Sequence, residues 1–351
     1  MRLLIITCLF IATFISSCSE KDSLTKSGES FFDKTAQQLN DRVFLGELKP
    51  VKSQNLDSLD IIASSFLKSN HDHLFLSSGR LKKIFVIDKE DLSRDYTISI
   101  DEGRGPGEVV GFNDFDVSSN FIAIVDNPGL KILILDAKGN FVNEYFPKEG
   151  ARPARVALVG DDNILVYTPI TPEFLFNTSD LEGNTISGFS KLGDLAGHNA
   201  LKYTGRVVVK NNHLYFAGRS ESILKKYNID GDLIFSRTTV DDWPDNINYV
   251  VFEAGEGQIG TSYSEGALFA FNNFDVWDNF IVTIPHHNGD PDYKYLDIYS
   301  RSDGNYLGTL TTDEFPYDIT IDDEFIYIQG NLPEERTIKK YPNELSQYFE
   351  K

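Results

Sequence analysis

The chain predicts an all-β fold, a six-bladed β-propeller of four-stranded antiparallel blades, with seven blades as the alternative count. Three observations point there. Phe112-Asn113-Asp114-Phe115-Asp116-Val117 returns as Phe271-Asn272-Asn273-Phe274-Asp275-Val276 and is echoed by Phe315-Pro316-Tyr317-Asp318-Ile319; self-similarity at a period of tens of residues marks a repeat architecture. Each copy leads through a short polar turn into an apolar strand, Phe121 to Val125, Phe280 to Ile284 and Phe325 to Ile328, so the repeating unit is strand. Long amphipathic helical patterns are missing, which argues against α/β folds.

In chain order, the first element is a leader. Met1-Arg2 precedes an apolar run from Leu3 to Ile15, too short to span a bilayer as a helix. A basic start, a short apolar core and the small residues Ser16-Ser17 describe a secretory signal over 1–17. Cys18 follows at the expected cleavage point, and the segment resembles the lipobox of bacterial lipoproteins, in which that cysteine carries the lipid. Ile15 and Ser17 depart from its commonest form. The one other cysteine, Cys8, lies inside the leader. A processed chain therefore has no thiol nucleophile, no Cys-based metal site and no internal disulfide.

Residues 18–48 are expected to form the lipidated Cys18 and a flexible tether, polar and rich in Ser, Lys, Glu and Gly up to Ser30. Phe31, Phe32, Ala36 and Leu39 have the spacing of one face of a short helix. The propeller is expected over 49–351. Its third strands read as Lys83 to Asp88, Lys131 to Asp136, Phe174 to Asn177, Leu224 to Ile229, Tyr295 to Ser300 and Thr337 to Tyr341. Four are followed by hairpin signals centred on Gly139, Gly183, Gly231 and Gly304, where glycine supplies positive φ. The others use Lys89-Glu90-Asp91 and Pro342-Asn343-Glu344. Gly231 to Gly304 is longer than the other intervals, which marks an insertion between Val240 and Ala270 or hides a seventh blade. No third strand with its own glycine turn is found there, so six is preferred.

With 33 Lys+Arg against 53 Asp+Glu the formal net charge is −20, and loss of Arg2 makes it one unit more negative. Such a surface repels phosphate backbones and anionic headgroups, which excludes nucleic acid as a partner and leaves the lipid anchor as the membrane contact. Gly103-Arg104-Gly105-Pro106-Gly107-Glu108 spaces its glycines like a phosphate loop, but no helix pattern follows and Pro106 removes a backbone donor. It reads instead as a tight loop between one blade's outer strand and the next blade's inner strand.

That hexapeptide resembles the Gly-x-Gly-Pro-Gly-Glu signature of the six-bladed β-propeller lipoproteins of Bacteroidota, related to NHL and TolB-like propellers. The resemblance covers lipobox, tether, the motif after the first blade and the glycine turns. It implies the fold and an outer-membrane address facing periplasm or exterior; it implies no activity, since one propeller fold hosts unrelated functions.

Loops between second and third strands share a rim with the blade-to-blade crossings. This rim collects Arg104, Glu108, Asp126, Arg152, Arg155, Arg219, Glu221, His286, His287 and Arg336. Arg152 and Arg155 stand out in an acidic chain, as partners for Asp116 or Asp275 or as receivers of a carboxylate. The insertion adds Trp243, Tyr249, Phe252 and Tyr263, favoured anchors at interfaces that could equally fold back over the rim. His286-His287 with Asp290 and Asp292 matches no calcium loop, and no Gly-x-Ser-x-Gly elbow occurs. The expected function is a monomeric binding or scaffold module for a protein, peptide or glycan, with no catalytic residue, cofactor or metal. The alternative is a lactonase-like hydrolase with a metal held by Asp116, Asp275, Asp318 and Asn113 or Asn272.

Overall fold

The computed structural model describes residues 31–39, 41–147, 151–160, 162–169, 174–191, 201–241, 249–253, 259–264, 267, 269–286, 293–331 and 336–349. Two strands, β1 (Phe44–Glu47) and β2 (Lys52–Asn55), precede the first blade. Blade I is β3 (Phe66–Ser69), β4 (His73–Ser78), β5 (Lys83–Asp88) and β6 (Arg94–Ser99). Blade II is β7 (Asp114–Val117), β8 (Phe121–Asp126), β9 (Lys131–Asp136) and β10 (Phe141–Tyr145). Blade III is β11 (Arg155–Val159), β12 (Asn163–Tyr167), β13 (Phe174–Asp180) and β14 (Thr185–Lys191). Blade IV is β15 (Gly205–Lys210), β16 (His213–Gly218), β17 (Ile223–Asn228) and β18 (Leu233–Thr238). A hairpin of β19 (Tyr249–Glu253) and β20 (Ile259–Tyr263) follows. Blade V is β21 (Phe271–Trp277), β22 (Phe280–Pro285), β23 (Tyr295–Ser300) and β24 (Tyr306–Thr311). Blade VI begins with β25 (Pro316–Ile321), β26 (Phe325–Asn331) and β27 (Arg336–Pro342).

The count is six, and the long interval holds a two-stranded hairpin rather than a seventh blade. The third strands fall where the sequence places them, three of them (Lys83–Asp88, Lys131–Asp136 and Tyr295–Ser300) to the residue and the other three with ends displaced by one to three residues. The core is divided. Six apolar clusters each join two neighbouring blades, one for every gap in the ring, including Leu67, Leu74 and Leu76 against Tyr327 and Ile338 between blades I and VI. Central strands are buried on both faces, which explains runs such as Ile132-Leu133-Ile134-Leu135.

The hairpin glycines have two reasons to be glycine. Gly231 has φ of +97°, and a Cβ there would lie 2.6 Å from Phe189 Cβ on the outer strand of the preceding blade. Gly139, Gly183 and Gly304 repeat this arrangement against Ile98, Tyr145 and Phe235. The turn thus nests into the neighbouring blade.

The ring closes across the termini. After β27 the chain enters a short 3-10 helix, Leu345–Tyr348, instead of continuing through Pro342-Asn343-Glu344 to a fourth strand. β2 supplies that strand, antiparallel to β27, and β1 adds a fifth, parallel strand to blade V. Residues expected to be tether are built into the wall. Thr35 exchanges backbone hydrogen bonds with Ser236 and Thr238 of blade IV. The Gln37 amide donates to the carbonyls of Thr238 and Gly304 at 2.7 and 2.9 Å and accepts from the Tyr306 amide. Arg42 makes paired hydrogen bonds to Asp241 and Asp297. No helix forms over Phe31 to Leu39. Phe31 packs on Tyr203 and Phe216.

Candidate functional site

The inner strands β3, β7, β11, β15, β21 and β25 surround a central channel. Inner-strand edges carry backbone amides with no strand beside them, and such amides need partners when buried. The repeated phrase supplies them. Asp116 accepts the Leu158 amide of the next blade at 2.9 Å, and Asp114 accepts that of Val156. Asp275 accepts the Ile321 amide, and Asp318 that of Leu67. The recurring aspartates therefore stitch inner strands together around the ring. The third copy is out of phase: counted from the following turn, Asp318 stands level with Asn273, and Thr320 holds the level of Asp275.

Charge in the channel is layered. Lys68 lies 3.6 Å from Asp116. Burial lowers its ammonium, but Asp116, Asp114, Asp318 and Asp275 outweigh that and hold it above the ordinary range. A cavity of about 130 Å³ is lined here by Lys68, Asp116, Val208, Asp275 and Thr320. Nearer the crossing rim, where inner strands begin, stand Phe66, Asp114, Arg155, Arg206 and Asp318. The Phe66 ring lies 4.4 Å from the Arg206 guanidinium carbon and 5.9 Å from that of Arg155. Arg206 is 4.0 Å from Asp114. Burial, then the guanidiniums of Arg206 and Arg219, pull Arg155 down to about 10 against the opposing pull of Asp114. Arg219 is lowered by its own burial and by Arg206. Gathering like charges out of water is costly unless an anion answers them.

Around this mouth the aromatics form a wall. The Arg219 guanidinium lies 4.6 Å above Phe269, whose ring meets Tyr263 at 4.8 Å and His286 at 5.1 Å. The Tyr263 hydroxyl bonds Thr204 and Ser220 of blade IV. This part of the insertion is folded back onto the rim. Of the rim residues read from sequence, Arg155, Arg219 and His286 come together here. Arg104 and Arg152 are exposed. Glu108 is a loop member that accepts the Gly105 amide, while buried Lys131 reaches the Gly105 carbonyl and Glu144; the hexapeptide is a fastened turn. Asp126 accepts the amides of Val110, Gly111 and Gly129. Glu221 is buried near Lys34 and Lys202. Arg336 pairs with Asp57 beside β2. Cys18, Trp243 and His287 lie outside the described residues.

Arg206, Lys68, Phe66 and Phe269 were missed by the rim argument because three of them sit on inner strands. A cation opening the run Val207-Val208-Val209 was the available signal. On the opposite rim the channel widens into a cavity of about 670 Å³ lined by His71, Lys210, Trp277 and Arg301. Its Arg301 is already engaged by the Tyr215 hydroxyl and the Asp278 carbonyl. Among the described residues no three His, Cys, Asp or Glu side chains converge as metal ligands, and no helix is long and apolar enough to cross a membrane.

No protein-family model matches the chain, and no curated protein matches it. Solved structures do. A member of the DUF4221 family from Bacteroides vulgatus superposes with TM-score 0.52 at 12% identity, over 84% of this chain and 97% of that one. A Bacteroides fragilis protein described as exported gives 0.51 at 13%, over 85% and 99%. BamB from Moraxella catarrhalis gives 0.43 at 14%, over 85% and 98%. At these identities the likeness is one of fold.

Proposed function

We propose that this chain is an exported lipoprotein, held at the outer membrane through Cys18, that works as a monomeric binding module and takes a protein, peptide or glycan ligand at the crossing-rim mouth of its channel. The observation that carries the reading is the convergence of Arg155, Arg206 and Arg219 beside Phe66 and Phe269 in a chain of net charge −20. Arg155 and Arg206 tie blade III to blade IV and blade IV to blade V through the Gly205 and Asn272 carbonyls, whereas Arg219 makes no ion pair among the described residues, so contact with a ligand is the role left to it. The leader, the small residues before Cys18 and the fold shared with a Bacteroides protein described as exported support the address.

Two experiments test it. Cys18→Ser should move the protein from the membrane fraction to the soluble fraction; unchanged detergent dependence would remove the anchor. Peptide and glycan arrays should yield a ligand whose binding is weakened about tenfold or more by Arg219→Ala and unchanged by His71→Ala at the opposite mouth. The reverse pattern would move the site to the other rim.

A further inference from the structure

We propose that the arginine mouth is a site for a singly charged carboxylate. This deepens the reading above and rests on it. Arg155, Arg206 and Arg219 act on one another across the mouth. The acids that answer them are Asp114, 4.0 Å from Arg206, and Asp318, which also faces Arg206. Among the described residues the mouth layer holds three positive charges against two negative, one unit over, with the opposite excess one layer deeper. Lys68, one layer deeper, faces Asp116 and Asp275 and is also held by Asp114 and Asp318, so the four cations and four acids balance over the channel as a whole and the positive excess is confined to the mouth. A monoanion restores neutrality at the mouth. A phosphate dianion overshoots, with its excess charge beside Asp114 and Asp318.

Arg155 commits Nε to the Gly205 carbonyl and Nη1 to the Ala154 carbonyl, and Arg206 commits Nε to the Asn272 carbonyl. These bonds fix both guanidinium planes and leave terminal N–H groups over. Among the described residues Arg219 makes no ion pair, and its guanidinium rests on the Phe269 ring. Fixed planar forks match the two oxygens of a carboxylate. Phe66, Phe269 and Tyr263 wall the approach, so the body carrying the carboxylate meets aromatic rings.

Charge also selects at long range. The acidic surface repels polyanions before they reach the mouth, whereas a lone carboxylate on a neutral body bears little of that penalty. The shared chemistry is one carboxylate; a peptide C-terminus and a sugar acid both present it.

Calorimetric titration of the mature protein with N-acetyl-L-phenylalanine and its amide, with D-galacturonate and D-galactose, and with inorganic phosphate tests the inference and tells the sources apart. At least one acid should bind saturably with a Kd of about 1 mM or tighter. Its neutral twin and phosphate should each bind about tenfold or more weakly, and Arg219→Ala should lower the affinity of that acid about tenfold. The melting curve of Arg219→Ala should stand no lower than that of the parent, since the substitution relieves like-charge repulsion. Equal binding of a neutral twin, tighter binding of phosphate, or no saturable binding of either acid overturns the carboxylate. In that event an array ligand still lost in Arg219→Ala keeps the broader reading, and an array ligand indifferent to Arg219→Ala sinks both.

Discussion

Replacing Arg42 by alanine removes the guanidinium that fastens the N-terminal segment to blade V. Arg42 donates to Asp241 at 2.7 and 2.6 Å and to Asp297 at 3.0 and 2.8 Å, with Tyr293 and Tyr295 against its plane. The Asp297 side chain is 2% exposed. Without Arg42 its remaining side-chain donor is the Thr309 hydroxyl at 2.5 Å. Leaving one partner of a buried pair uncompensated costs about 3–5 kcal/mol. The carboxyl can escape by taking a proton, at about 1.4 kcal/mol for each pH unit above its ordinary value. That escape costs about 4 kcal/mol at pH 7 and about 1.5 kcal/mol at pH 5. Burial already pushes Asp297 upward, with Arg42 and Thr309 pulling back; removing Arg42 raises it further. A raised folded-state pKa means stability that is present at low pH and lost as pH rises through it. The loss in Arg42→Ala should therefore be about 4 kcal/mol at pH 7 and should shrink to about half or less at pH 5. Urea unfolding at both pH values measures it, and adding Asp297→Asn should recover most of the loss at pH 7. A loss below about 1 kcal/mol at pH 7, the size of an exposed pair, would refute the buried clamp.

Three further perturbations follow from the ring. Gly231→Ala must hold φ of +97° and push its Cβ into Phe189, a loss of about 2–4 kcal/mol by denaturant titration; a loss under about 0.5 kcal/mol would mean that the turn does not nest. Burial pushes Asp318 up to about 6, against the Leu67 amide, Arg206 and Lys68. Wild type should thus lose about 3 kcal/mol relative to Asp318→Asn as pH rises from about 4 to about 6, and a carboxyl titrating below pH about 4 by infrared spectroscopy would contradict this. Deleting residues 1–56 strips β2 from blade VI and bares the β27 edge, so the truncated protein should aggregate or unfold without cooperativity; an unchanged melting transition would show that the ring closes some other way.

Much of the architecture was legible along the chain. Periodicity named the unit, continuous apolar runs such as Ile132-Leu133-Ile134-Leu135 announced strands covered on both faces, and the glycine turns marked four of the six blades, because these are local demands of backbone twist and burial. The sequence could not say that Asp116 and Asp275 recur to hold the neighbouring blade's amides, since that partner lies some 40 residues away. It also suggested that Asp318 was their equal, whereas strand register moves it one layer along the channel.

Tertiary structure alone decided three things. Residues 31–39 and 41–47 were expected to belong to the tether, yet pairing with β24 and the Arg42 clamp place them in the wall, because exposed sheet edges and two carboxylates elsewhere in the chain supply what the segment lacks by itself. Blade VI takes its fourth strand from the opposite end of the chain, a closure that no local pattern encodes. The candidate site is the third. Arg155, Arg206 and Arg219 are tens of residues from Phe66 and from Asp114 or Asp318 in sequence, and only the circular arrangement of inner strands turns scattered charges into one mouth. Propensity and hydrophobic period act over neighbours, so they set strands and turns; electrostatics acts through space, so the site exists only once the ring has closed.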